Sequence, residues 1–440
     1  MKILLAQNMI YVPTLGGANK ANRLLLERLA ERGHECRVVV PATGAKVSVN
    51  SRGQFLEELS KRGIASAPAP GADVFSFHGV RVRAVTNSLE LRAHVVREVR
   101  EFEPDWVLVT SEDPEQLMLD AALEASPSRV VYLVHTPLML PFGPVAFLAD
   151  ERRAEQFRRA AGVITVSEYV REYVRRWGRV ESAVIPFPVY EGATPPNHGC
   201  FERGFVTLVN PCAYKGLPIF LEVVARFPEV GFAAVPTWGT TSADRAALAA
   251  FPNVTLLDPA DDIDEIFART RVLLMPSLWT EAFPLLPVEA MLRGVPVVAS
   301  DAGGLPEAKL GVEYVLPVRA IERYEERLDE LGNPVAVIPP QDIAPWESAL
   351  RRLLTERAHY EELSRASREA ALSFVARAGA EPFEQSLSAL SPASAHADAV
   401  GQSPESGARA DARALVGKLS PERLELLARR LRKKAAGRED

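Results

Sequence analysis

The chain alternates short, unbroken apolar runs with stretches of helical period, and it does so twice. In the first half the runs fall at residues 3–6, 37–40, 80–85, 106–109, 130–134, 163–166 and 183–185. Helical patterns separate most of them, for example 18–31, stopped by Gly33, and 89–102, stopped by Pro104. Continuous rather than alternating apolar strands, joined by helices, require a mostly parallel sheet covered on both faces. Around residues 186–199 the sequence turns rich in proline and glycine. The alternation then restarts at 205–209, 231–235, 254–257, 272–275, 295–299 and 314–316, and a helical region from Pro345 to about Leu387 closes it. The pattern predicts an α/β chain of two Rossmann-like, doubly wound domains facing each other across a cleft. Their expected bounds are 1–190 and 200–375, with a closing helix over 376–390.

After Leu390 the composition shifts to a low-complexity linker, expected over 391–417, and then to an amphipathic tail helix over 418–440. Ser420 suits its N-cap, Pro421 its first position, and Glu422 its positive end. Leu424, Leu427 and Leu431 make a narrow apolar stripe, with Arg429, Arg430, Arg432, Lys433 and Lys434 gathered at the other end. A short helix on a flexible arm is expected to dock on a partner rather than fold alone. It is similar to the helical lead-in segments of nonribosomal peptide synthetases.

A length of 440 residues suggests two or three domains, and 47% hydrophobic with 25% charged residues is a globular balance. The net charge of −6 and pI near 5.8 argue against nucleic acid as the main partner. Cys36, Cys200 and Cys212 form no CxxC pair, which fits a reducing compartment and excludes a thiolate metal cage. The start, MKILLAQN, has too short an apolar core for a signal peptide and reads as a buried first strand. No run is long enough to cross a bilayer, so a cytoplasmic location is expected. The arginine-rich stretch 152–179 could contact anionic lipid, but a solvated helix face is the commoner explanation.

The segment 277–307, SLWTEAFPLLPVEAMLRGVPVVASDAGGLPE, carries the chemistry. Glu281 and Glu289 stand in it with seven residues between them. Pro287 suits a first helical turn and Gly294 a helix stop. This places Glu281 on a strand-to-helix loop and Glu289 in the first turn of the following helix. A helix N-terminus at the carboxyl end of a parallel strand binds anions, usually phosphate, and flanking carboxylates can take hydroxyls. Three readings compete. Glu289 can merely complement the helix dipole while Glu281 is solvated. The pair can be the acid and base of a glycosidase. Or Glu289 accepts from the ribose of a nucleotide while Glu281 holds a sugar, which alone joins Gly303-Gly304 and Lys215 to the same site.

Other candidates lie at strand ends. Gly16-Gly17 opens a helix after the first strand, where backbone must approach a phosphate or sugar, although a plain turn is as good a reading. It is not a GxGxxG, and Val40-Pro41 stands where a nicotinamide site would need an acid. His135 follows the run VVYLV and could bond a sugar hydroxyl, against a backbone-bonded structural histidine. Lys215, before Gly216, could neutralise a diphosphate, against a surface lysine. Asp261, Asp262 and Asp264 read as a cap for a helix starting near Ile263, and the 7 histidines show no metal-ligand spacing.

Taken together, Gly16-Gly17, the GHECRVVVP strand, His135, Lys215-Gly216 and above all the Glu281–Glu289 segment resemble glycosyltransferase family 4, the retaining GT-B group, over about residues 1–388. The segment resembles that family's EX7E signature. The resemblance implies that Glu289 binds the ribose of a nucleotide-sugar donor and that Glu281 contacts the donor sugar. It implies that Lys215 and main chain near Phe283, Leu285 and Leu286 hold the diphosphate, with His135 near the reacting sugar. Departures are present. Asn210-Pro211 stands where the family usually has an arginine, so Asn210 offers only a neutral donor. Ala282 replaces a glycine, Pro284 lacks an amide used on the sugar, and the interdomain turn reads PFPVY.

The resulting expectation is a retaining glycosyltransferase that moves a sugar from a nucleotide diphosphate to an acceptor hydroxyl or amine, with a peptide or polyketide natural product as the candidate acceptor. Nucleotide sugar is the expected partner, with no cofactor and no metal required. The alternative is a non-catalytic GT-B scaffold or sugar-nucleotide-binding partner. A phosphorylase or epimerase of the same architecture is a third reading, disfavoured by the EX7E segment.

Overall fold

The computed structural model describes residues 1–14, 16–44, 49–188, 194–260 and 262–392. The PFPVY turn lies partly outside them, as do Asp261 and the expected linker and tail helix beyond residue 392. Strands of the first half are β1 (Lys2–Ala6), β2 (Glu35–Pro41), β3 (Ser66–Ala69), β4 (Ala72–Phe77), β5 (Val80–Val85), β6 (Trp106–Thr110), β7 (Val130–Val134), β8 (Gly162–Thr165) and β9 (Ala183–Val184). They build one sheet of order β3-β4-β5-β2-β1-β6-β7-β8-β9, parallel from β5 to β9. β1, β6 and β7 are buried almost throughout, as expected of strands covered on both faces.

The second half supplies β10 (Phe205–Val209), β11 (Phe232–Val235), β12 (Val254–Leu256), β13 (Thr270–Met275), β14 (Val297–Ser300) and β15 (Val315–Leu316). These form a parallel sheet of order β12-β11-β10-β13-β14-β15. Both sheets reverse their winding once, the first between β1 and β6 and the second between β10 and β13. Chain leaving the carboxyl ends of such a neighbouring pair diverges to opposite faces and opens a crevice. Gln7 leaves β1 at the first switch point, while Asn210 to Lys215 and Ser277 to Glu281 leave β10 and β13 at the second.

Among the described residues an antiparallel meander, β3-β4-β5, and one separate hairpin depart from the expected alternation. β3 and β4 pair antiparallel through Gly71 at φ +69, and extend the first sheet beyond β5. β16 (Tyr324–Leu328) and β17 (Pro334–Ala336) form a separate antiparallel ribbon. The ribbon is tied to the second domain by Tyr214, which donates to Pro334 O, and by Ser242 Oγ, which donates to Glu330 at 2.6 Å. The final helical region is three helices, Ala344–Thr355, Arg357–Val375 and Ala380–Ala389, broken at Glu356 and Gly379 where the backbone leaves helical angles.

The last of these helices packs on the first sheet. Ala380, Phe383 and Leu387 are buried in the same cluster as Ile3, Leu5 and Leu25, and Glu384 accepts from Arg32 at 2.7 Å. Phe383 meets Phe187 edge-to-face at 4.7 Å, and Phe187 in turn contacts the His135 ring at 4.6 Å. The closing helix therefore supports the end of β7 through one intervening ring. Phe383→Ala should destabilise the protein by about 3–5 kcal/mol, the usual cost of emptying a buried aromatic site. Urea unfolding checks this; a loss under about 1 kcal/mol would show that the helix is not part of that core.

Candidate active site

Glu281 sits at the second switch point, only 7% exposed. A carboxylate placed there must be compensated. Its Oε1 accepts from Lys215 Nζ at 2.6 Å, Ser277 Oγ at 2.7 Å and Trp279 Nε1 at 2.9 Å. Burial pushes the Glu281 carboxyl upward, but the Lys215 charge and these three hydrogen bonds outweigh it and hold the group below its ordinary range. Its Oε2 makes no hydrogen bond among the described residues. Lys215 reaches it from the 3-10 turn Ala213–Lys215, and its ammonium also lies 4.7 Å from the Trp279 ring centre.

Two glycine positions make this arrangement possible. Gly216 adopts φ +79, and a Cβ there would stand 1.9 Å from Pro276 O, so only glycine lets the lysine turn pack on the end of β13. Gly303 adopts φ +63 and forms an isolated parallel bridge with Glu281; a Cβ there would stand 2.3 Å from Glu281 O. Gly304 N donates to the same carbonyl at 2.7 Å. Gly303-Gly304 thus grips the backbone that carries Glu281.

Glu289 corrects one expectation. Its helix spans Leu285–Leu292, beginning earlier than Pro287, so Glu289 lies in the second turn, and the first turn holds no acid. The N-cap is Pro284, with no side chain capping the helix. The amides of Leu285 and Leu286 are among the helix's unfilled donors. Glu289 is 7% exposed, and its Oε1 accepts from Lys20 Nζ at 2.6 Å. Its Oε2 also makes no hydrogen bond among the described residues. Both carboxylates therefore bond a lysine through one oxygen and keep the other unengaged.

Lys20 comes from the helix Gly16–Glu31 of the first domain, making this an interdomain ion pair. The same helix opens at Gly16, φ +77, and Gly17 faces Leu285 across the cleft. Leu285 packs against the cores of both domains. Leu286 packs on the second core, and Phe283 stacks with Phe374 at 5.5 Å. Ser167 Oγ donates to Ala282 O at 2.7 Å. The amides of Glu168 and Tyr169 donate to the Glu307 carboxylate at 2.8 and 2.7 Å.

Asn210 behaves differently from the cation it replaces. It is buried in a left-handed conformation at φ +59, and its Oδ1 accepts from Gly239 N at 3.0 Å. Its Nδ2 is buried without a hydrogen-bond partner among the described residues. The amide pins the loop after β11 and has no bond to Lys215 or Glu281. Asp262 Oδ1 accepts from Asp264 N at 2.9 Å, and Asp264 pairs with Arg293 and His198, as structural carboxylates do. In the arginine-rich stretch, Arg158, Arg171 and Arg175 pair with nearby glutamates. No group of three or more potential ligands able to hold a metal occurs among the described residues. No described helix is long and apolar enough to cross a membrane.

His135 follows β7 and is 9% exposed. It does not bond backbone through its ring: Nε2 meets Asn22 Oδ1 at 2.7 Å. Its own amide donates to Ser111 Oγ at 2.9 Å. Burial pushes its pKa down to about 3, so the ring is neutral near pH 7. Sequence reasoning missed Lys20, Asn22 and Ser167, which act across elements far apart in the chain, and gave no role to Glu307 at the end of the segment singled out. Ser277 and Trp279 lay inside the segment singled out, as polar groups flanking a buried carboxylate.

The depressed pKa has a consequence for stability. Between pH 6.5 and 3 an unfolded chain binds a proton at residue 135 that the folded chain does not. Stability conferred above pH 6.5 is therefore lost as pH falls. From pH 6.5 to 5 this amounts to roughly 2 kcal/mol. Urea unfolding at pH 7 and pH 5 should show a smaller acid loss in His135→Gln than in the unsubstituted protein. Equal losses would contradict a buried neutral ring.

With this geometry in view, known proteins give a consistent comparison. Residues 15–190 match the model of Glycosyltransferase Family 4, and residues 203–356 match that of glycosyl transferases group 1. The sulfoquinovosyl transferase of Arabidopsis thaliana is 24% identical over 350 residues, 72% of this chain and 64% of that protein. The exopolysaccharide phosphotransferase of Streptomyces coelicolor is 28% identical over 138 residues, 31% of this chain and 13% of that protein. The chain thus spans less than two thirds of the length of either curated relative. Among solved structures, sucrose-phosphate synthase from Thermosynechococcus elongatus aligns with a TM-score of 0.60 at 17% identity, covering 88% of this chain and 98% of that one. Anabaena HepE in complex with UDP and glucose aligns with a TM-score of 0.61 at 19% identity, covering 89% of this chain and all of that one. The two matched models share the two facing sheets between them, and the chain belongs to the family 4, group 1 glycosyltransferases of GT-B fold.

Proposed function

We propose that the protein is a retaining glycosyltransferase that transfers a sugar from a nucleoside diphosphate to an acceptor hydroxyl or amine. The observation that carries this reading is the pair of half-engaged carboxylates, Glu281 and Glu289, on the loop and helix that flank an uncapped helix N-terminus. Glu289 Oε2 is available to ribose hydroxyls, and Glu281 Oε2 to hydroxyls of the sugar. The diphosphate between them would meet the Leu285 and Leu286 amides and the Lys215 ammonium. A glycosidase pair fits less well, because Glu281 and Glu289 each bond a lysine, Lys215 and Lys20, rather than standing as a free acid and base.

The chemistry is positioning plus charge stabilisation. The bond from the anomeric carbon to the diphosphate oxygen breaks as the acceptor oxygen or nitrogen forms its bond on the same face. The acceptor proton passes to the departing phosphate oxygen, so no protein base is required. Lys215 and the helix N-terminus take up the developing negative charge, in place of a metal ion. A partner protein that binds sugar nucleotides without turning them over is the alternative, motivated by Asn210 in place of a cation. A natural-product acceptor, reached by docking of the tail, extends the same reading.

Thermal shift with UDP-, GDP- and dTDP-sugars, followed by turnover assays, tests the proposal. Glu289→Ala should weaken nucleotide binding about tenfold, one or two hydrogen bonds' worth. Lys215→Ala should lower turnover about a hundredfold with a smaller change in donor KM. Unaltered donor kinetics in both variants would overturn the assignment. Binding without any turnover in the unsubstituted protein would favour the non-catalytic alternative.

A further inference from the structure

The β1 switch point of the first domain carries a chain of buried amides that ends on His135. Gln7, Asn19 and Asn22 are 2%, 1% and 1% exposed. Asn19 Nδ2 donates to Ile10 O at 2.6 Å, and Gln7 Nε2 donates to Met9 O at 3.1 Å and to Asn19 Oδ1 at 2.7 Å. Asn22 Nδ2 then donates to Gln7 Oε1 at 3.2 Å, and Asn22 Oδ1 faces His135 Nε2 at 2.7 Å.

The direction of every bond in this chain is forced. A backbone carbonyl can only accept, so Ile10 O and Met9 O each require an NH₂ group, which fixes how the Asn19 and Gln7 amides are turned. With its NH₂ so engaged, Gln7 presents Oε1 to Asn22, and Asn22 must answer with its own NH₂. Its oxygen is then the end that faces the imidazole. Two acceptors cannot share a proton they do not have, so Nε2 carries the hydrogen. In a neutral ring Nδ1 is left with a lone pair, and it makes no hydrogen bond among the described residues.

We infer that Asn22 is a positioning residue: through the Gln7–Asn19 relay it holds His135 in the Nε2–H tautomer, which leaves Nδ1 as the acceptor for a hydroxyl of the sugar that the family resemblance brings near this histidine. The glycosyl part rests on the proposed function; the tautomer does not. Three features of the ring serve this role. Phe187, backed by Phe383, limits its tilt. Ser111 holds its backbone amide. Burial keeps it uncharged, and hence able to accept. The relay also ties the first-strand loop to the helix that carries Gly16, Gly17 and Lys20, so the groups nearest the cleft in this domain share one frame.

The test is two-bond ¹H–¹⁵N correlation on ¹⁵N-histidine-labelled full-length protein at pH 7, with the His135 signal assigned by its loss in His135→Gln. The protonated nitrogen should be Nε2 and the bare one Nδ1. Asn22→Asp keeps an oxygen towards the ring and should keep that tautomer. Asn22→Ala removes it, and Gln7→Met frees the Asn22 amide to turn over, so both should give mixed tautomers. With sugar nucleotide as donor, Asn22→Ala should lower turnover about tenfold, as expected for one mispresented hydrogen bond, while binding of the bare nucleoside diphosphate is unchanged. An Nδ1–H ring in the unsubstituted protein would overturn the inference whether or not the variants fold. So would an unchanged tautomer in folded Asn22→Ala. Mixed tautomers in Asn22→Ala with undiminished turnover would remove the glycosyl contact alone. The expected tautomer in a protein with no turnover on any sugar nucleotide would count against the proposed function and not against the relay.

Discussion

A carboxylate buried at the junction of β10 and β13 sets the conditions that the second domain must meet. Taken out of water, Glu281 is tolerable only with a cation and hydrogen-bond donors in place. Lys215 can serve because it leaves β10 while Glu281 leaves β13, and the winding reversal between those strands brings the two loops together. Ser277 and Trp279 complete the compensation from within the same loop. Gly216 and Gly303 stand where any side chain would meet Pro276 or Glu281 backbone. The glycines, the lysine and the aromatic ring are thus consequences of one charge.

The second consequence is closure. Where the Glu281 loop runs on through Ala282, it meets Ser167 of the first domain. Glu307, just past the glycine pair, accepts from the first amides of the helix Glu168–Tyr173, a placement favoured by the positive end of a helix. Lys20 reaches Glu289 from the opposite wall. A donor lying along this line would find each carboxylate with one oxygen already fixed by a lysine. Such prior fixing limits the reorganisation needed on binding, which is how preformed polar sites gain their effect. Asn210 is outside this arrangement. Its side chain holds the loop at Gly239 and makes no bond to Lys215 or Glu281, so no second charge stands at that position.

Long-range order was legible in the sequence where periodicity and end signals agreed. Unbroken runs such as VVYLV and WVLVT can only be strands covered on both sides, and these are the buried centres of the first sheet. β3 and β4 escaped notice because SAPA is short, carries a proline and is mostly exposed. β16 escaped because YEERL is exposed at every position and has no apolar face to signal a strand. In the site, Glu281, Glu289, Lys215 and Gly303 could be picked out because they follow the strands β10, β13 and β14 of one domain. The helix boundary was misplaced by the strong first-turn preference of Pro287, whereas Pro284 is the residue that stands outside the helix as its cap. Lys20 and Asn22 looked like ordinary members of an amphipathic helix. Their roles depend on Glu289 and His135, which only the tertiary fold brings to them.

The central claim is that Glu289 and Glu281 are the two ends of a donor grip, with the diphosphate on the helix N-terminus between them. A crystal structure of the protein with a bound nucleotide sugar tests it most directly. The account predicts ribose hydroxyls on Glu289 Oε2, a sugar hydroxyl on Glu281 Oε2, and phosphate oxygens on Lys215 Nζ and the Leu285 and Leu286 amides. A nucleotide seated elsewhere, with Lys20–Glu289 and Lys215–Glu281 undisturbed and both Oε2 atoms still unengaged, would contradict it.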